Sequence, residues 1–213
     1  MIDNEFASSR HEMVLKQISG RGLKDPRLLE AFEKVPRHLF VPPEDIHLAY
    51  ADNAIPIGLG QTISQPYIVA LMTHLLELKG NERVLEVGTG SGYQAAILAC
   101  IVKEVHTIEY IQALADQARV RLSEYENVLC HTGDGSSGWP EAAPYDGILV
   151  AAAAPRVPQT LLDQLKDNKC LVLPVGGEGY QVLEVWRRKG SQFDCKTEIG
   201  VAFVPLRGKY GWK

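Results

Sequence analysis

The sequence predicts a doubly wound α/β fold, and three observations carry that prediction. From Arg83 onward, short apolar runs alternate with stretches patterned as helices. The first of these runs ends in a glycine-rich turn, Gly88-Thr89-Gly90-Ser91-Gly92. After Gly176 two strand-like runs follow each other with no helix between them. Near-continuous apolar strands separated by helices indicate a parallel sheet covered on both faces, whereas strands without crossovers indicate an antiparallel edge. The expected architecture is therefore a mostly parallel sheet with an antiparallel edge at its C-terminal end, preceded by helices.

Each element has its own signal. Residues 11–19 and 25–35 place apolar side chains at helical spacing, and Asp25-Pro26 supplies an N-cap followed by a proline that needs no N–H partner there. Pro36 ends that helix. Residues 41–60 read as loop, punctuated by Pro42-Pro43, Pro56, Gly58 and Gly60, and Gln65 to Leu78 reads as one amphipathic helix. Strands are then expected at Arg83–Gly88, Glu104–Glu109, Asn127–Asp134, Asp146–Ala154 and Lys169–Gly176. Helices are expected at Gly92–Val102, Ile111–Tyr125 and Val157–Lys166, and the edge strands at residues 181–190 and 199–206. Residues 1–80 form an N-terminal helical and loop region packed on an α/β core of residues 81–213, the whole being one compact domain.

Composition bounds the function. The chain of 213 residues is 46% hydrophobic, 8% aromatic and 23% charged, which permits a packed core and excludes a disordered chain. A net charge of −4 supplies no basic field for phosphate backbones, so a nucleic-acid partner is not expected. The longest apolar run near a helix, Ala95 to Val102, is far short of the roughly 20 residues that span a bilayer, and no membrane partner is expected. The amino end lacks the pattern of a secretory signal, and the cytoplasm is the expected compartment. Cys100, Cys130, Cys170 and Cys195 are widely spaced, as buried thiols of a reducing compartment would be rather than a disulfide framework. The six histidines show no metal-ligand spacing, so no metal is expected.

In a doubly wound sheet the ligand sits beyond the carboxyl ends of the central strands, so the first strand-to-helix turn is where a ligand is read. A dinucleotide fold wants G-x-G-x-x-G there; this turn is G-x-G-x-G, with Tyr93 at the third dinucleotide position. Glu86 lies just inside the turn, where it repels a phosphate and can hold a cationic amine. Glycines without phosphate chemistry suit a nucleoside with an amino-acid tail, which describes S-adenosylmethionine. Glu109 ends the second core strand, where such folds accept ribose hydroxyls, and Asp134 ends the third, placed to accept from an adenine amine. A hydride-transfer enzyme stays open as an alternative that Tyr93 and Glu86 weaken.

These residues resemble a known family. E-V-G-T-G-S-G-Y is similar to the first motif of class I S-adenosylmethionine-dependent methyltransferases. The stretches V-P-R-H-L-F-V-P (35–42), I-G-L-G-Q-T-I-S-Q-P (57–66), G-D-G (133–135), A-A-P-Y-D-G-I (142–148), A-A-A-P-x-V-P ending at Pro158, L-V-L-P-V-G (171–176) and F-V-P-L (203–206) further resemble the protein-L-isoaspartate O-methyltransferases, in that family's order. The glycine turn is a superfamily-wide signal; Q-T-I-S-Q-P is far more specific. The resemblance implies a Rossmann-like methyltransferase sheet. It also implies methyl transfer from S-adenosylmethionine, leaving S-adenosylhomocysteine, to the free α-carboxylate of L-isoaspartyl residues in peptides and in unfolded or aged proteins. The ester then collapses to a succinimide, whose hydrolysis returns some normal aspartate.

By the same resemblance the cofactor is expected at Gly58, Leu59, Gly60, Gln61, Thr62, Glu86, Gly88, Thr89, Gly90, Ser91, Gly92, Glu109, Tyr110, Asp134 and Gly135. The substrate is expected at Ile57, Ser64, Val204, Pro205 and Leu206, with Ser64 the candidate catalytic residue. The tail, Arg207 to Lys213, is shorter than in some relatives.

The chemistry suits the residues. A free α-carboxyl ordinarily has a pKa of roughly 3.3–3.7, so the nucleophile is already ionised at neutral pH and needs no general base. Catalysis then comes from alignment and from excluding water. Ser64 reads equally as the N-cap of the helix beginning at Gln65 or as a hydroxyl that orients the carboxylate. A peptide is expected to lie extended along Val201 to Leu206 by strand addition. A monomer is expected.

Other methyltransferases remain rivals. Enzymes acting on a base amine carry Asn or Asp with paired prolines after the fourth strand, where this chain has Ala151-Ala152-Ala153-Ala154-Pro155, and a Pro-Cys nucleophile is absent. A small-molecule methyltransferase would want a metal or a placed basic residue. A binding protein that senses the cofactor without turnover is the rival from another class.

Overall fold

The computed structural model describes residues 2–177 and 179–212, with side chains from residue 6 onward. The N-terminal region holds α1 (Ile2–Met13), running into a π-helical turn at Val14–Ile18, and α2 (Pro26–Lys34). Asp25 caps α2 as its sequence position predicts, accepting from the N–H of Arg27 at 3.0 Å. Leu28, Ala31 and Phe32 form its buried stripe at the i, i+3, i+4 spacing.

The region expected as loop contains structure. A short hairpin, β1 (Ile55–Gly58) and β2 (Gln61–Ile63), closes through Gly58, Leu59 and Gly60, all with positive φ. Glycine adopts that conformation without penalty; Leu59, at φ 53°, does so at a cost of roughly 1–2 kcal/mol. Next comes α3 (Pro66–Leu75), ending before Leu78 because the chain turns left-handed at Glu77. Val69, Ala70, Leu71, Met72 and Thr73 are all buried, so this helix is enclosed by its neighbours rather than amphipathic as expected.

The core alternates as predicted: β3 (Arg83–Val87), α4 (Tyr93–Ala99), β4 (Glu104–Glu109), α5 (Gln112–Arg121), β5 (Val128–Thr132), β6 (Tyr145–Val150), α6 (Gln159–Asp163), then β7 (Leu165–Gly177), β8 (Tyr180–Lys189) and β9 (Gln192–Val201). The sheet order is β5-β4-β3-β6-β7-β8-β9. Pairings from β5 to β7 are parallel; β7–β8 and β8–β9 are antiparallel. The edge strand differs from expectation: it runs over 192–201, and residues 203–206 instead cross the sheet end, where Ala153 bridges Pro205. Pro205 cannot donate to a ladder, which fits its place outside the strand.

Period-two alternation along β3 sorts the core into two faces. Val84 packs with Val105, Leu149 and the N-terminal helices, whereas Leu85 and Val87 pack with Ile148, Val150 and Leu161. Glu86 therefore points to the face that residues 1–80 cover. Among the described residues no helix is long and apolar enough to cross a membrane. The four cysteines are free, but Cys100 and Cys195 are exposed, contrary to the expectation of buried thiols. Cys195 lies on the solvated edge strand β9, where no layer covers it.

Candidate active site

The chain winds from β3 outward to β5 and then returns to β6 on the other side of β3. The crevice at such a switch point is where doubly wound sheets bind ligands. The two strands separate there just after pairing, since Ala151 N–H still donates to Val87 O at 2.8 Å. Gly88 follows at φ 94°, with Ala151 close enough to meet any Cβ built on it. The cleft that opens there has about 850 Å³ of free space, counting the open solvent at its mouth.

Glu86 lies at the floor of the cleft, fully buried. Thr107 Oγ1 donates to its Oε2 at 2.5 Å, Thr89 Oγ1 lies 2.6 Å from Thr107 Oγ1, and Glu86 Oε1 has no partner among the described residues. Burial pushes the carboxyl up to about 8, opposed by the Thr107 hydrogen bond. Glu109 is positioned differently: the N–H groups of Gly90 and Ile111 donate to its two oxygens at 2.8 and 2.9 Å. Those bonds fix the second carboxylate against the glycine turn. Gly135 completes this wall, and a Cβ there would stand 2.6 Å from Val87 Cγ1 and 2.9 Å from Ile108 Cγ2.

The opposite wall comes from outside the core. Gln61, Thr62, Ile63 and Ser64 line the cleft on one side and Val204, Pro205, Leu206 and Arg207 on another. Ile57 of the hairpin approaches Gly90, 3.6 Å from where a Cβ would stand. A second groove shares Thr62, Ser64, Ala151 and Val204 with the cleft and extends past Gln65, Ile68, Tyr180, Gln181 and Phe203. Among the residues lining either space none is histidine or cysteine.

Of the expected positions, Gln61, Thr62, Ser64, Glu86, Gly88, Thr89, Gly90, Ser91, Glu109, Tyr110, Gly135, Val204, Pro205 and Leu206 line one cleft. Gly58, Leu59, Gly60 and Gly92 do not: the first three form the hairpin tip, and Gly92 packs against Leu122 under α4. Asp134 also lies outside the lining. Its Oδ1 accepts from Ser136 N–H and Ser136 Oγ, and its Oδ2 from Lys209 N–H of the tail, so the acid expected to meet an adenine amine is held by the protein. Ser64 is not a helix cap, because Gln65 occupies that position and sends its amide to Asp52 O. The expected peptide edge is occupied in part: Gln181 Nε2 donates to Phe203 O at 3.1 Å, and Phe203 N–H donates to Gln181 Oε1 at 2.7 Å. Val204 O and Leu206 N are likewise taken by Ala153.

Thr107 was not singled out by sequence; it is the parallel register that pairs it with Glu86. Tyr93, Gln94, Ala152 and Arg207 also line the cleft.

The chain is similar to known proteins along nearly its whole length. A family model described as protein-L-isoaspartate(D-aspartate) O-methyltransferase matches residues 8–211. A protein-L-isoaspartate O-methyltransferase of Methanoregula boonei is 55% identical over 209 residues, 97% of this chain and 96% of its own. That of Trichlorobacter lovleyi is 54% identical over 211 residues, 98% of this chain and 97% of its own. A solved structure described as a protein-L-isoaspartate O-methyltransferase superposes with a TM-score of 0.87 at 27% identity, over 94% of this chain and 67% of that one. A Plasmodium falciparum structure, described as a beta-aspartate methyltransferase in complex with S-adenosyl-L-homocysteine, shares the fold. Its TM-score is 0.79 at 24% identity, over 92% of this chain and 98% of that one.

Proposed function

The chain belongs to the protein-L-isoaspartate(D-aspartate) O-methyltransferase family, and from that premise we propose how its cleft serves methylation of the free α-carboxylate of L-isoaspartyl residues. The observation that carries the assignment of roles is Glu86: a buried carboxylate with one unpartnered oxygen beside an open glycine turn. A desolvated acid in that position suits a cationic amine, and the glycine turn admits a nucleoside without offering a phosphate site. The residues thus fit S-adenosylmethionine, with Glu86 toward its ammonium group, Glu109 toward its ribose hydroxyls and Gly135 beside its base. When bound, that cofactor supplies a methyl group on a sulfonium centre.

The protein's own part is alignment. The substrate carboxylate arrives ionised, so the absence of histidine and cysteine from the described lining costs nothing. Thr62 and Ser64, at the junction of cleft and groove, orient the carboxylate, and Ser64 acts there as a hydrogen-bond donor rather than a nucleophile. The hairpin and residues 203–207 roof the site and limit water, which would otherwise stabilise the separated charges of the reactants. The peptide lies in the adjoining groove, among Ile68, Tyr180 and Phe203. Because residues 61–64 and α3 supply one wall of the cleft, the N-terminal region and the core act as one domain, and the protein acts as a monomer on damaged or unfolded chains in the cytoplasm.

The test is transfer of labelled methyl to matched peptides carrying L-isoaspartate or aspartate at one position. Base-labile label on the isoaspartyl peptide alone is the expected outcome. Label on neither, with cofactor binding intact, would overturn the reading.

A further inference from the structure

Behind the Ser64 wall lies a charge that the roles above leave unused. Arg37, in the 3-10 turn after α2, is fully buried. Its Nε donates to Ala49 O at 2.8 Å, its Nη2 donates to Ser64 O at 2.8 Å, and its Nη1 has no partner among the described residues. The guanidinium lies over the Tyr93 ring, 4.8 Å from its centre, and both Tyr93 and Ser64 line the cleft. The cation therefore sits one layer behind the surface the substrate meets.

Among the described residues no acid lies within salt-bridge range of Arg37, and Tyr93 and Tyr50 are the ionisable groups that favour its charged form. Burial lowers its pKa to about 10, which leaves it charged at neutral pH. A buried cation without a counter-ion is costly to a folded protein, and stacking on tyrosine recovers only part of that cost. Glu86 and Glu109, the acids of the site, line the cleft at the glycine turn. The cleft is thus polarised, with acids where the cofactor's cation is proposed and a buried cation where the substrate's anion is proposed. The first turn of α3 begins beside Ser64 and adds the partial positive charge of a helix start.

We propose that Arg37 is a positioning residue for the substrate. Through its bond to the Ser64 carbonyl it fixes the Ser64 corner, and its uncompensated charge makes that corner selective for a carboxylate, which completes the missing counter-ion. This rests on the proposed function, since it takes the isoaspartyl α-carboxylate as the anion.

The test compares binding of a fluorescent L-isoaspartyl peptide and its α-carboxamide twin to the S-adenosylhomocysteine complex of the full chain. Wild-type protein is expected to prefer the carboxylate at least tenfold. Arg37→Gln is expected to lose that preference, weakening the carboxylate peptide at least tenfold more than the carboxamide twin, while binding S-adenosylhomocysteine as before. Arg37→Lys, which keeps a charge without the double clamp, is expected to keep most of the preference. A purely structural clamp would move both peptides together. Equal loss in Arg37→Lys and Arg37→Gln, or an unchanged preference in Arg37→Gln, overturns the proposal. Should Arg37→Gln fail to fold, a wild-type preference below threefold still overturns it, and so does loss of the preference in folded Arg37→Lys. Methyl transfer to the isoaspartyl peptide by wild type, measured alongside, separates failure of this inference from failure of the function itself.

Discussion

Thr107 and Glu86 face each other across the parallel β3–β4 register, and the hydroxyl holds one carboxylate oxygen while the other is left to the cleft. One hydrogen bond does not offset full burial, so Glu86 is held protonated to about pH 8 in the cofactor-free protein. An ammonium ligand requires the ionised form, and below pH 8 its binding must expel a proton. Cofactor affinity is therefore expected to rise by up to tenfold per pH unit from pH 6 toward 8. It should fall again above about 8, where the ligand's own amine, like an α-amino group with a pKa of roughly 7.7–8.0, loses its charge. Titration calorimetry in buffers of different ionisation enthalpy should show proton release at pH 6.5. In Glu86→Gln the acid limb of the profile should disappear and binding should weaken.

The same group sets a pH dependence of stability, and its sign follows from the direction of the shift. The folded-state pKa lies above the usual carboxylate value, so the fold binds this proton more tightly than the unfolded chain does. Its contribution is complete below about pH 4.5 and is lost as pH rises to about 8. Cofactor-free Glu86→Gln should therefore melt several degrees higher than wild type at pH 8.5, with little gain at pH 4.5. Calorimetric melting temperatures at the two pH values decide this.

Gly135 has room for hydrogen alone. A methyl group would enter the space of Val87 and Ile108, two core residues that cannot swing away as a surface side chain could. Gly135→Ala should cost about 1–3 kcal/mol of stability and displace the turn that walls the cofactor end of the cleft. A denaturant midpoint and a cofactor titration should both shift.

The parallel core was legible because its strands are short runs built around Val, Leu and Ile that alternate with helix-patterned stretches or glycine turns. The hairpin at Ile55–Ile63 was not, because its turn puts Leu59 in a conformation that normally calls for glycine. The edge strand Gln192–Val201 escaped detection for a different reason: most of its side chains are solvated, so it carries no apolar alternation. Glu86 and Glu109 could be placed from their strand ends alone. Asp134 has the same sequence signature, yet its partners are Ser136 and a tail backbone 75 residues away, and no local pattern contains that contact.

Gln181 offers a way to separate peptide from cofactor. Its amide accepts from and donates to the main chain of Phe203, filling the place of a neighbouring strand and fixing the groove floor. Gln181→Leu removes both bonds while keeping most of the volume. The KM for an isoaspartyl peptide should rise by up to about thirtyfold, the ceiling set by two hydrogen bonds of about 1 kcal/mol each, with the cofactor dissociation constant unchanged.

Ser64→Ala distinguishes two roles that its sequence position suggests. A helix cap lost to alanine costs about 0.5–2 kcal/mol. Gln65, not Ser64, stands at the start of α3, and the Ser64 contact with the N-terminal region is made by its carbonyl, which alanine keeps. Melting temperature should therefore be unchanged. Turnover should fall at least tenfold, because the hydroxyl borders both the cofactor cleft and the peptide groove, where carboxylate and methyl must align. A drop in stability with normal turnover would return Ser64 to the role of a cap.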